Sequence, residues 1–129
     1  MTVRSPAIGV RSFRAVAMAD LPALAAFVDT ACDAFGADGE VRFSVRLAVE
    51  EVFRHILRRG YGGTGPVLVE VDGGPRSVRV RLKDEAPAPE RLDGAAQDLE
   101  AVRRLIDTFE HAPAAPRGNV YTLVKQFPA

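Results

Sequence analysis

"LAVEEVFRHILRRGY", residues 47–61, carries two adjacent acids, a histidine four residues beyond the second, a run of arginines, a glycine and a tyrosine. Extended back to about Val41, it reads as a helix, because Val45, Ala48, Val49, Val52, Phe53 and Ile56 form one continuous apolar arc. Glu51 and His55 stack on one face at the border of that arc, where the helix meets whatever covers it. Two readings of the pair stay open. As surface chemistry, Glu50–Arg54 and Glu51–His55 are acid-before-base pairs one turn apart, worth roughly 0.2–0.5 kcal/mol each. As a site, they are polar groups held between a helix and a sheet.

Outward from this helix the chain alternates between the two hydrophobic periods. "AIGVRSFRA" (7–15) alternates like a strand. Asp20 is placed as an N-cap, followed by Pro22 and by Leu24, Phe27, Val28, Ala31 and Phe35 at helical spacing, with Gly36 as the stop. Gly60 is the expected end of the second helix, and "GGTGP" (62–66) a connector. "VLVEV" (67–71) and "SVRVRLKD" (77–84) read as strands around the turn "DGGPR". In the second strand Val78, Val80 and Leu82 alternate with Arg79, Arg81 and Lys83, so one face is buried and the other is wet or covered by something polar. After an aperiodic loop (85–97), "DLEAVRRLIDTF" (98–109) reads as a short third helix with Leu99, Val102, Leu105, Ile106 and Phe109 inward. "NVYTLVKQF" (119–127) is a last strand. The expected fold is α+β: a two-layer sandwich, a mostly antiparallel sheet with helices on one face, in one domain spanning 1–129.

Composition narrows the function. Seventeen basic and seventeen acidic residues cancel, so no overall field draws in nucleic acid or an anionic membrane. Arg54, Arg58 and Arg59 with Arg79, Arg81 and Lys83 offer a local basic patch. With 7% aromatic residues at core spacing there is no stacking platform beside it, and no nucleic-acid partner is expected. Cys32, the single cysteine, precludes an intrachain disulfide and suits core packing and a reducing cytoplasm. The longest apolar run, "LPALAAFV" (21–28), is too short to span a bilayer and the N-terminus has no signal core, so a cytoplasmic protein is expected. His111, beside Pro113 in a loop, suggests no role.

The order of elements, with "LAVEEVFRHILRRGY", "VRVRLKDEAPAPERL" and "RGNVYTLVKQF", resembles the histidine-kinase-like ATPase fold, and within it the anti-sigma-factor serine kinases. In that family the second helix carries E-A-x-x-N-x-x-x-H-x-Y. Its glutamate is the general base toward a substrate serine, and its asparagine holds the magnesium that bridges the ATP phosphates. By that resemblance Glu51 is the catalytic residue, His55 stands at the metal- and cofactor-binding position, Arg59 at the histidine and Tyr61 at the tyrosine. The family's D-x-G, whose aspartate receives the adenine amino group, falls on Asp84, Glu85 and Ala86, and the glycine before the last strand falls on Gly118, with Asn119 after it. ATP and magnesium are the implied cofactors. The implied partners are a sigma factor or an anti-sigma antagonist protein, with a possible homodimer.

The departures sit at the phosphate end. Magnesium wants oxygen ligands in tight octahedral geometry, and an imidazole at position 55 suits zinc or another transition metal better. Ala86 replaces a glycine, at about 1–2 kcal/mol if the position is left-handed. Where the family's lid has G-x-G, this chain has "QDLEAV", placing Asp98 and Glu100 where a triphosphate would lie. An acid about 4 Å from a phosphate charge repels it by roughly 4 kcal/mol at an effective dielectric near 20. The expectation is an anti-sigma-type regulator with a degenerate ATP site that works by protein contact. The alternatives are an active ATP-dependent serine/threonine kinase and an unrelated α+β binding module.

Overall fold

In the computed structural model the described residues are 9–87 and 99–127. The chain runs β1 (Arg11–Ala15), a 3-10 turn (Met18–Asp20), α1 (Leu21–Ala34), α2 (Gly39–His55), a π-helical turn (Ile56–Tyr61), β2 (Val67–Gly74) and β3 (Ser77–Asp84). It continues through α3 (Glu100–Leu105), β4 (Thr108–Pro113) and β5 (Asn119–Gln126). The strands form one five-stranded sheet in the order β1-β2-β3-β5-β4, antiparallel at every pairing. This is the expected α+β arrangement, with the antiparallel pairing complete among the described strands.

α2 forms where its valines dictate. Asp38, in extended backbone, accepts a hydrogen bond from the Val41 amide at 2.9 Å and so caps one of the orphan donors of the first turn. Val41, Val45, Ala48, Val49, Val52 and Phe53 then recur on one face and are all buried. They meet Val69, Val71, Val80, Leu82 and Leu123 of the sheet, and Leu24, Val28 and Ala31 of α1, in a single core. Each fully buried Val, Leu or Phe contributes roughly 1.5–3 kcal/mol, so this stripe, far more than any surface ion pair, fixes the rotation of α2 over the sheet. Cys32 lies in the same core, and burial, reinforced by Asp29, pushes its thiol up to about 12, which keeps it a packing group.

Several boundaries differ from the sequence expectation for identifiable reasons. Asp20 stands at the expected N-cap position of α1, but its side chain makes no capping bond to that helix. Its carboxylate turns back to accept from the Val16 and Ala17 amides at 2.7 and 3.0 Å, which holds it below the usual carboxylate range. Strand β1 is confined to 11–15, and residues 7 and 8 of the expected strand lie outside the described residues. Gly60 does not end the second helix. The turn runs on to Tyr61, and Gly62, left-handed at φ 65°, closes it, with the Gly63 amide donating to the Leu57 carbonyl. The third helix stops at Leu105, and Phe109, expected inside it, belongs instead to an edge strand, β4. The wet face of β3 is covered by cross-strand ion pairs. Arg79 grips Asp72 through two bonds of 3.0 and 2.6 Å, and Lys83 reaches Glu70 at 2.9 Å.

Candidate functional site

The antiparallel register of β3 and β5 sets Asp84 opposite Asn119, and that of β4 and β5 sets His111 opposite Tyr121. Four polar side chains from three strands therefore meet at one end of the sheet, on the helix-covered face. Asp84 is 6% exposed and Asn119 2%. Asp84 Oδ1 accepts from the Ala86 amide at 3.0 Å and from Asn119 Nδ2 at 2.9 Å. The same Nδ2 donates to the Ala86 carbonyl at 3.2 Å. Asn119 Oδ1 faces His111 Nε2 at 2.8 Å. Asp84 Oδ2 is buried with no hydrogen-bond partner among the described residues. A carboxylate oxygen buried there is costly unless a donor meets it.

Burial raises the Asp84 carboxyl above its ordinary value, and the bonds from Asn119 and Ala86 and the nearby His111 pull against that rise. Tyr121 is raised too, by burial and by the Asp84 charge. Its ring is stacked with His111 (4.6 Å, 14°) and Phe109 (6.4 Å, 20°), and His55 lies edge-on to it at 6.1 Å. The wall beside Asp84 is thus a short column of planar groups.

Small residues let the backbones close in. A Cβ on Gly118, which has φ 106°, would stand 2.2 Å from the Asp84 carbonyl oxygen. A Cβ on Gly60 would stand 3.2 Å from that of Ala86. Ala86 itself is not left-handed, since among the described non-glycine residues only Arg76 has positive φ. The conformational penalty expected for alanine there does not arise, and the close approach is supplied by the glycine of the π turn instead. Tyr61 locks the same corner: its hydroxyl donates to the Pro66 carbonyl at 2.6 Å and accepts from the Glu85 amide at 2.7 Å. Tyr61→Phe removes both bonds and keeps the ring. A loss of about 1–2 kcal/mol in unfolding free energy is expected, read from urea midpoints at unchanged slope.

The α2 end of the site is differently disposed. Glu51, at partial exposure, accepts from Arg54 Nη1 at 2.8 Å, with Glu50 at 4.0 Å from the same guanidinium. Arg54, which the sequence paired with Glu50, thus also grips Glu51 from one turn away. His55 is buried, its ring against Tyr121. Magnesium does not fit these groups, because an imidazole offers no oxygen and the neighbouring carboxylates, Glu50 and Glu51, both lie against the Arg54 guanidinium. Glu100 pairs with Arg104 of its own helix at 3.0 Å, and Asp98 lies outside the described residues. A cavity of about 410 Å³ lined by Met18, Arg54, Leu57, Arg58, Gly62 and Gly63 shares no lining residue with the Asp84 cluster.

Sequence reasoning reached Asp84, Ala86 and Gly118, noted Asn119 without a role, and missed His111. The available signal for His111 was its alternation with Phe109 in "TFEHAP", a strand pattern overlooked at the end of a helical one. No helix among the described residues is long and apolar enough to cross a membrane. Compared with known families, residues 15–125 match the model described as the histidine kinase-like ATPase domain. No curated protein matches the chain at a significant level.

Proposed function

Because this chain belongs to the histidine kinase-like ATPase family, we propose that it is a regulatory domain of the anti-sigma type. In this reading it receives the base of an adenine nucleotide at Asp84, has lost its metal-and-phosphate grip, and acts through protein contact. The observation that carries the reading is the buried Asp84 carboxylate, with one oxygen saturated by Ala86 and Asn119 and the other unspent. An exocyclic amino group is the donor such an oxygen suits, and a charge-assisted bond in a dry site is among the stronger single contacts available. At the opposite end, the imidazole of His55 and the Arg54-bound Glu51 favour neither magnesium nor proton abstraction from a serine. ATP supplies adenine recognition here and no transferred phosphate. The partner class is a cytoplasmic protein, a sigma factor or its antagonist, with homodimerisation as the companion contact.

Calorimetric titration with ADP and ATP, in EDTA and in excess magnesium, tests this. ADP is expected to bind with an affinity that magnesium changes by less than about threefold, and labelled ATP to leave no phosphate on serine peptides. Magnesium tightening ATP by roughly tenfold or more, or phosphate transfer lost in Glu51→Gln, would restore the kinase reading.

A further inference from the structure

We infer that His111 and Asn119 are positioning residues that set the base preference of the Asp84 site, an inference that rests on the adenine-nucleotide reading. Asn119 has two N–H donors on one side and one oxygen on the other. Its nitrogen faces two pure acceptors, Asp84 Oδ1 at 2.9 Å and the Ala86 carbonyl at 3.2 Å. Both donors are thereby used, and the orientation of the amide follows from the chemistry of its neighbours. The oxygen must then face His111, and His111 Nε2, at 2.8 Å, must be the atom that carries the proton and donates. The neutral ring is fixed in its Nε2–H form by the same constraint.

That donation reaches Asp84. The Asn119 amide is a rigid plane, so anchoring its oxygen fixes the direction in which its nitrogen points at Asp84 Oδ1. With Oδ1 receiving Asn119 and Ala86, rotation of the carboxylate is blocked and Oδ2 is the oxygen left over. With Asp84 ionised, the site is thus set to accept a hydrogen bond and has none to donate. A six-amino purine satisfies it. A six-oxo purine brings a carbonyl toward a carboxylate, two acceptors facing one another with no proton between them. The His111 ring is itself held flat by stacking on Tyr121 at 4.6 Å, opposite it in the β4–β5 register, so the direction of donation is built into the sheet. His111 touches no ligand in this account; it acts through Asn119.

The test compares ADP with IDP, which share their phosphates and sugar and differ at the six position of the base. His111→Phe keeps an aromatic ring over Tyr121 and removes the donor. In this variant ADP is expected to weaken by roughly tenfold, the size of one hydrogen bond, while the weak binding of IDP stays as it was. The ratio between the two therefore narrows. His111→Gln, whose amide can donate to the same oxygen, is expected to recover most of the ratio, and Asn119→Ala to lose it whatever stands at position 111. Equal weakening of ADP and IDP in His111→Phe would mean a merely structural histidine and would overturn the inference. So would an unchanged ratio, or a His111→Gln no better than His111→Phe. If the unmodified chain binds neither nucleotide, or does not distinguish them, the adenine reading itself fails and the inference falls with it. If the unmodified chain discriminates and His111→Phe does so equally, only the inference fails.

Discussion

Gly118→Ala is expected to lower the melting temperature by roughly 10 °C or more and to abolish nucleotide binding in whatever protein remains folded. Two independent costs converge on this position. Its backbone is left-handed at φ 106°, where an alanine is disfavoured by about 1–2 kcal/mol. The added methyl would lie 2.2 Å from the Asp84 carbonyl oxygen and 3.3 Å from Glu85 Cα, atoms of backbone that cannot swing aside as a side chain would. Overpacking of that kind costs roughly 1–3 kcal/mol even after relaxation. The relaxation is itself damaging, because the way out is for β3 and β5 to part at the rung where Asp84 faces Asn119. A thermal melt and an ADP titration of the same preparation check both halves. A variant melting within a degree or two of the parent would show that this rung is looser than its geometry implies.

Asp84→Asn is expected to behave in the opposite manner: unimpaired folding with a large change in binding. Asparagine keeps an oxygen for the Ala86 and Asn119 donors, so its nitrogen takes the place of Oδ2. The acceptor becomes a donor. An adenine amino group then meets N–H groups, and the affinity for ADP should fall about a hundredfold, the loss of a hydrogen bond to a charged group. A six-oxo purine now finds the donor it lacked, so IDP is expected to bind better than ADP. Stability follows from the direction of the Asp84 shift. Burial raises this carboxyl above its ordinary 3.8, so the fold favours the protonated acid. That contribution is whole below 3.8 and is lost as pH rises through the higher folded value, above which the buried charge is a cost. The asparagine has no charge to bury. The variant should therefore melt at or above the parent temperature at pH 7, and the difference should shrink as the solution is acidified. A melting temperature well below the parent at pH 7 would contradict this account.

How far the sequence could carry the reading depended on whether a signal was local. Valines at helical spacing in α2 and at alternating spacing in β2 and β3, and Tyr121 with Leu123 in β5, report burial through their neighbours along the chain, and those four elements stand close to where the pattern put them. "DLEAVRRLIDTF" misled because its apolar residues keep a helical beat past the real end. Backbone turns extended at Ile106, and the next apolar side chain, Phe109, already sits on an edge strand half covered by Tyr121. The site divided in the same way. Asp84 was legible as an acid closing a strand. Its partner Asn119 arrives by strand register across 35 residues, and His111 reaches Asn119 across 8, which no spacing rule within a helix or strand anticipates. Glu51 shows the limit of spacing even within one helix. Arg54, paired by spacing with Glu50, lies closer to Glu51, at 2.8 Å against 4.0 Å.

The Tyr61 hydroxyl belongs at once to the segment leaving α2 and to the segment leaving β3, through Pro66 on one side and Glu85 on the other. Leverage applied to the end of that helix by any protein gripping it is delivered one residue from Asp84, and crowding at Asp84 is returned along the same strut. A load placed on either segment therefore has a direct hydrogen-bonded route to the other.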